Sequence, residues 1–452
     1  MDRITKQVAG FASSLRFEDL SEETVHAATQ RLVDALGCGF GAHDCQPAQI
    51  GLRLARGQTA GKTPGRVLFY GDELPADAAA FVNTTMIRNF DFNDRYPGGH
   101  PSDALGALLA LATATPTEGR RLLTAMTVAY EIFARFADAA QLSRRGWDQG
   151  FGITLSAAAG ICNYLGLSME ATANAVGIAA TSAVPLRVTR SGELTVWKNV
   201  ATAYASRNAV FTALLAAEGM AGPGNAFEGR HGLFENITGP FALDPFQTEG
   251  GGSLVPRVST KYWPVEANGQ PVIWAALKLR ETIAPADIQE IEVFTNKFTW
   301  FEIGSEPEKW DPQTRETADH SLPYMLARTL VDGPVTIHSF TDDKVRDPAL
   351  RPLMRKIKVA VDDALEAALP RMIMRVKVRT ADGSEHEVEI ADPLGHPDNP
   401  MRDRDIEAKF TAMVEPIIGS ERCRTALDGL WRIDESREVG GLTALLDLQP
   451  RR

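Results

Sequence analysis

Apolar residues recur at spacings of three and four through almost the whole of the first 245 positions, and this constrains the chain more than any other feature. The spacing matches the 3.6-residue period of an α-helix, so each segment must bury one face against its neighbours. It predicts helices over 22–40, 76–90, 103–115, 119–138, 152–165, 169–182 and 196–219. Ser21 ahead of Glu22 and Glu23, and Ser168 ahead of Glu170, supply start signals: a hydroxyl acceptor followed by acid in the first turn. The run Ser156-Ala-Ala-Ala-Gly160 lets helix axes approach closely, which predicts a helix covered on more than one side.

Near residue 285 the period changes to two. Residues 288–295, 356–361, 372–378 and 386–390 alternate as strands with one buried face do. Asp382-Gly383 between the last two predicts a hairpin turn, because glycine accepts positive φ without steric cost. A helical stretch is expected over 316–331, and helical patterns resume at 404–416 and 421–431. The expected fold class is mainly α: a large all-helical domain of residues 1–268 and 404–452, with a smaller α+β domain of residues 269–403.

Charge limits the partners. The 47 Lys and Arg against 58 Asp and Glu leave a net charge of −11, which is unlike the basic surface that nucleic acid requires. An acidic chain binds an anion only by concentrating cations in one place, which directs attention to local clusters of Lys and Arg. The four cysteines, Cys38, Cys45, Cys162 and Cys423, form no Cys-x-x-Cys pair, so neither a disulfide framework nor a metal or iron–sulfur site is expected. Without a secretory pattern or an apolar run of about 20 residues, the expected location is cytoplasmic, with no membrane partner.

Three polar clusters interrupt the apolar pattern. The first, Asp91-Phe-Asn-Asp-Arg-Tyr-Pro-Gly-Gly-His100-Pro-Ser-Asp103, precedes an apolar helix that Ser102 is placed to cap. Asp91, Asn93, Asp94 and His100 there suit an acid–base site, and spacing alone suits a solvated loop equally well. The second holds Arg187, Arg190 and Lys198, either a clamp for carboxylates or an ordinary surface loop. The third, Lys261-Tyr-Trp-Pro-Val-Glu266-Ala-Asn-Gly-Gln270, lies at the expected domain boundary, where ligands often bind, and reads also as a turn held by Tyr262 and Trp263. His320 in Ala318-Asp-His-Ser-Leu-Pro-Tyr324 belongs either to a cleft lid or to an exposed helix start.

Taken in order, these motifs resemble the MmgE/PrpD family, which includes 2-methylcitrate dehydratase, cis-aconitate decarboxylase and iminodisuccinate epimerase. The likeness rests on Asp91-Phe-Asn-Asp94, His100-Pro-Ser-Asp103, Arg187-Val-Thr-Arg190, Trp197-Lys198, Phe227-Glu-Gly229, Lys261 through Glu266, and Ala318 through Tyr324. It implies a helical domain with an α+β lid, a homodimer, and metal-free, cofactor-free chemistry on a di- or tricarboxylate. The dehydratase branch is the nearest in motif. On that reading Asp91 is the general base, with Asn93 and Asp94 orienting it or the substrate, and His100 is the acid or proton shuttle; the two roles are interchangeable. Lys198, Lys261 and Arg187 hold carboxylates, and Arg190, Ser102, Glu266 and His320 complete the substrate pocket. Decarboxylation and epimerisation in the same pocket are the alternatives, and a catalytically silent carboxylate-binding protein is the alternative of another class.

Overall fold

A computed structural model describes residues 1–183, 185–247 and 252–448. Among the described residues, nine α-helices make up the first part: α1 Arg3–Ser14, α2 Glu22–Gly41, α3 Gln46–Ala55, α4 Ala76–Arg88, α5 Leu105–Ala112, α6 Gly119–Ala140, α7 Gly150–Leu165, α8 Met169–Ser182 and α9 Trp197–Ala217. Ser21 and Ser168 cap as expected, accepting from the amides of Thr24 and Ala171 at 3.2 Å each. The Ala-rich α7 is buried along nearly its whole length between α6, α8 and α9. Close approach is built in. A Cβ on Gly160 would lie 2.8 Å from the Ala125 carbonyl of α6, and one on Gly106 would lie 2.4 Å from the Thr84 amide of α4.

Two short strands, β1 Pro64–Arg66 and β2 Glu73–Pro75, form a small hairpin beside α4. The main sheet holds β3 Ile288–Thr295, β4 Ile357–Val361, β5 Ile373–Thr380 and β6 Glu385–Ala391 in the order β4-β3-β5-β6. The β5–β6 pair is the antiparallel hairpin expected around Asp382-Gly383, whereas β3 and β4 run parallel. The inward faces of β3 and β5 carry Ile291, Val293, Val376 and Val378, and helices α10 Gln270–Arg280 and Leu322–Asp332 complete that core.

The expected single helix over 316–331 is two: Arg315–Ala318 and Leu322–Asp332. Ser321 caps the second by accepting from the Tyr324 amide at 3.1 Å, and Pro323, without an N–H, fits only its first turn. The break leaves Asp319 and His320 at a corner, where both side chains turn toward the helical body.

The apolar side chains form two main cores. One gathers residues from Ile4 to Val258 together with Met401 to Leu446, and the other runs from Trp263 to Ile390. The helix Asp403–Ile418 lies on α2, where Phe410 covers Gly37 and Met413 covers Gly41. On these cores we propose the division into 1–268 with 404–452 and 269–403, with the apolar core of the smaller part opening at Trp263.

Candidate active site

The chain leaves α4 through a tight turn in which Asp91 adopts φ +49°, a left-handed conformation that Asp tolerates better than most residues. This turns the Asp91 side chain back onto Arg88, with which it forms an ion pair. Both side chains are buried. The other Asp91 oxygen lies 3.0 Å from Lys261 Nζ and 3.6 Å from Lys198 Nζ, and Lys261 also donates to the Asp91 carbonyl at 2.7 Å. Lys409 on the C-terminal helix donates to the carbonyls of Phe92 (2.7 Å) and Lys261 (2.9 Å) and pairs with Asp34 at 2.6 Å. Three distant stretches of sequence are thereby pinned around one carboxylate.

Two imidazoles flank that carboxylate. His100 Nε2 is 3.5 Å from one Asp91 oxygen, and His320 Nε2 is 3.8 Å from the other. The opposite nitrogen of each ring is engaged: His100 Nδ1 faces the Asp94 carbonyl at 2.5 Å and His320 Nδ1 the Asp319 carboxylate at 2.5 Å. A carbonyl and a carboxylate can only accept, so Nδ1 carries the proton in each ring and the Nε2 lone pairs of the neutral imidazoles are left to face the site.

Burial and charge tune these groups. Burial alone would raise the Asp91 carboxyl, but Arg88, Lys198, Lys261 and His100 outweigh it and hold the group well below the usual carboxylate range. Burial, then Arg88 and Lys261, lower His100 well below its ordinary value, against the pull of Asp91. Burial and then Lys198 push His320 down to about 3. Burial also brings Lys198 down to about 8 despite Asp319 and Asp91. Burial raises Glu266, partly countered by Lys261.

A small polar pocket of about 90 Å³ opens onto this cluster. Asp91, His100, Glu266, His320, Arg187 and Arg190 line it, together with Arg88, Arg95, Gln149 and Glu302. Several expectations are corrected here. Lys198 and Lys261 are buried one layer behind Asp91 rather than at the pocket surface. Ser102 caps no helix. It sits inside a 3₁₀ turn, Pro101–Ala104, and donates to Asp94 at 2.6 Å while accepting from Asn93 at 2.8 Å. Asp94 also takes the Ser102 amide at 3.1 Å and the Tyr130 hydroxyl at 2.7 Å, so the protein's own carboxylate occupies the start of this turn. Asn93, Asp94 and Ser102 are therefore the floor of the site, not its surface.

The arginines are mostly committed. Arg187 pairs with Glu302 across the two cores, and Arg190 pairs with Asp148 at 2.5 Å. Among the described residues, Arg95 is the lining cation with no carboxylate within ion-pair distance. Reading the sequence missed Arg88, Arg95, Asp319 and Glu302. Arg88 falls inside the helix expected over 76–90 with no motif to mark it, whereas Arg95 and Asp319 lie inside the polar motifs themselves. Asp91, Asp319 and His320 present ligand atoms within 4.8 Å of one another, the one arrangement among the described residues that suggests a metal. Lys198 Nζ lies 3.6 Å from Asp91 and 3.8 Å from Asp319, so a divalent ion there would face a buried ammonium at close range.

Residues 6–245 match the MmgE/PrpD N-terminal domain and residues 263–433 the MmgE/PrpD C-terminal domain. The chain belongs to the MmgE/PrpD family. It is 28% identical to 2-methylcitrate dehydratase of Salmonella typhi over 408 residues, covering 84% of each chain. The same enzyme of Escherichia coli K12 is 28% identical over 410 residues, again with 84% of each chain covered. Cis-aconitate decarboxylase of Mus musculus is 24% identical over 466 residues, covering 98% of this chain and 93% of the relative. These relatives make the chain a member of an enzyme family containing both dehydratases and decarboxylases. Among the described residues, no helix is long and apolar enough to cross a membrane.

Proposed function

We propose that the protein is a cofactor-independent hydro-lyase that dehydrates a citrate-like tricarboxylate. The observation that carries this is the pair of imidazoles whose Nε2 atoms flank one buried, cation-held carboxylate at the end of a polar pocket. Dehydration breaks a C–H bond beside a carboxylate and a C–O bond on the neighbouring carbon, and leaves a C=C bond and water. One group must take a proton and another must give one.

His320, oriented by Asp319, takes the C–H proton at Nε2. His100 delivers a proton to the departing hydroxyl. Both rings are neutral in the free site, and a tricarboxylate arriving within ~4–6 Å favours their charged forms, so the substrate itself draws in the proton that His100 donates. Asp91 is too strongly held as a carboxylate to be an effective base near neutral pH. Its part is to stabilise the imidazolium, while Arg88, Lys198 and Lys261 fix its position and supply positive potential as charge builds on the substrate. Arg95 binds a substrate carboxylate directly, and Arg187 does so by exchanging Glu302 for it.

Decarboxylation is the second reading, favoured by the decarboxylase relatives that align over 98% of the chain. It needs the same charge stabilisation, followed by protonation of carbon. Incubating the pure protein with citrate, 2-methylcitrate, cis-aconitate and iminodisuccinate separates these readings through ultraviolet absorbance of a new C=C bond and release of carbon dioxide. No change in any of the four defeats both; epimerisation, which forms neither a C=C bond nor carbon dioxide, is read by the optical rotation of iminodisuccinate, and no change there either leaves a silent carboxylate-binding protein.

A second copy of this chain is the proposed partner, in the cytoplasm, where free cysteines persist. Trp197, Tyr204 and Phe211, seven residues apart on α9, expose 47%, 46% and 58% of their surface. An aromatic stripe of that kind on an otherwise buried helix suits an isologous contact.

A further inference from the structure

The polar pocket is too small for a typical ligand of ~300–1,000 Å³, but it does not end at its own walls. It adjoins a second chamber of about 480 Å³ and shares with it Arg95, Gly98, Ser143, Gln149 and Phe298. The chamber's remaining walls are largely apolar. Phe133 and Phe136 come from α6, Leu142 from the turn that follows it, and Leu369, Pro370 and Met372 from the approach to β5. Two glycines lie at or beside the neck: Gly98 lines both cavities and Gly99 the polar pocket. Gly98 and Gly99 hold φ +97° and +158°, and a Cβ on Gly99 would meet Gln149 Oε1 at 2.0 Å and the Phe133 ring at 2.8 Å.

A corridor meant only to admit a trianion has no use for the apolar side of this chamber, where Phe133, Phe136, Leu142, Leu369, Pro370 and Met372 stand beside the polar Asp138, Gln141 and Arg144, since charged groups gain nothing from apolar walls and lose hydration beside them. Apolar walls contiguous with a carboxylate pocket suit a molecule with a charged head and an apolar arm. We propose that this chamber is a binding site for an alkyl substituent on the carboxylate substrate, longer than a methyl group, whose head lies against His100 and His320. The inference rests on the carboxylate reading of the polar pocket and extends it to the class of substrate.

Two unreactive probes test it by titration calorimetry: methylsuccinate and butylsuccinate, which share a dicarboxylate head and differ by three methylenes. At about fourfold in affinity per buried methylene, butylsuccinate binds roughly ten- to sixtyfold more tightly. Met372→Trp and Ala137→Trp fill the chamber from partly exposed positions, and in each the ratio of the two affinities falls toward one, with circular dichroism checking the fold. Equal affinity in the unaltered protein overturns the inference and leaves the carboxylate reading standing. A preference that survives both tryptophans places the arm elsewhere and also overturns it. If neither probe binds and no citrate is turned over, the carboxylate reading fails and the inference falls with it.

Discussion

Replacing Asp91 by Asn removes one negative charge from the middle of the site and little else. Asn is close in size and accepts the left-handed φ of +49°, so the backbone turn survives and the charge is isolated as the variable. Lys261 lies 3.0 Å and Lys198 3.6 Å from the carboxylate, and Arg88 pairs with it. At an effective dielectric of about 20, either lysine contact is worth about 5 kcal/mol before desolvation is counted. Removing one partner of a buried ionic cluster has a net cost of about 3–5 kcal/mol, which is the expected loss of stability near pH 6.

The sign with pH follows from the groups left behind. In the native protein the depressed Asp91 pKa contributes stability that is present above the unfolded value of about 3.9 and lost as pH falls through the folded one. In the variant the buried ammoniums lose their counter-charge and shed protons more readily. As pH rises through and above about 8, where Lys198 already titrates in the native protein, the penalty relaxes. The gap between variant and native protein should therefore be widest near pH 6 and narrower near pH 9. Urea unfolding followed by circular dichroism at both pH values measures it. A gap under about 1 kcal/mol at the lower pH, or one that widens with pH, would refute the charge-cluster reasoning.

Asp319→Asn should lower kcat by about two to three orders of magnitude with a small change in KM, because the amide can turn an N–H toward Nδ1, which favours the wrong His320 tautomer, and no longer offers a charge to stabilise the imidazolium; an unchanged kcat removes His320 from proton transfer. The kcat/KM profile should fall on the alkaline side with an apparent pKa near 8 as Lys198 loses its proton, and a flat profile through that range would show that its charge is not needed. Dialysis against a strong chelator should leave activity intact, since Lys198 sits against the acids that would otherwise hold a metal; activity lost and then restored by one specific metal contradicts this. Tyr204→Glu with Phe211→Glu should convert a dimer to a monomer in light scattering, whereas a monomeric native protein ends the homodimer proposal.

Helix periodicity, the serine caps at Ser21 and Ser168 and the Asp382-Gly383 hairpin were all legible in the chain, because each depends on residues within a few positions of one another. So was membership of the family, since its motifs are local strings. What the sequence alone could not determine is which charges meet. Asp91 and His100 read as an acid and base nine positions apart, yet the cations that hold Asp91 as a carboxylate come from 107 and 170 residues further along the chain, at Lys198 and Lys261. Ser102 fits a helix cap by every local rule, but Asp94 and Asn93 claim its hydroxyl from the preceding loop. Spacing along the chain reports the hydrogen bonds and packing that near neighbours impose on one another. The protonation state of a buried group depends on distance and desolvation in three dimensions, and only the folding of the α+β part against the helices brought Asp319 and His320 up to Asp91.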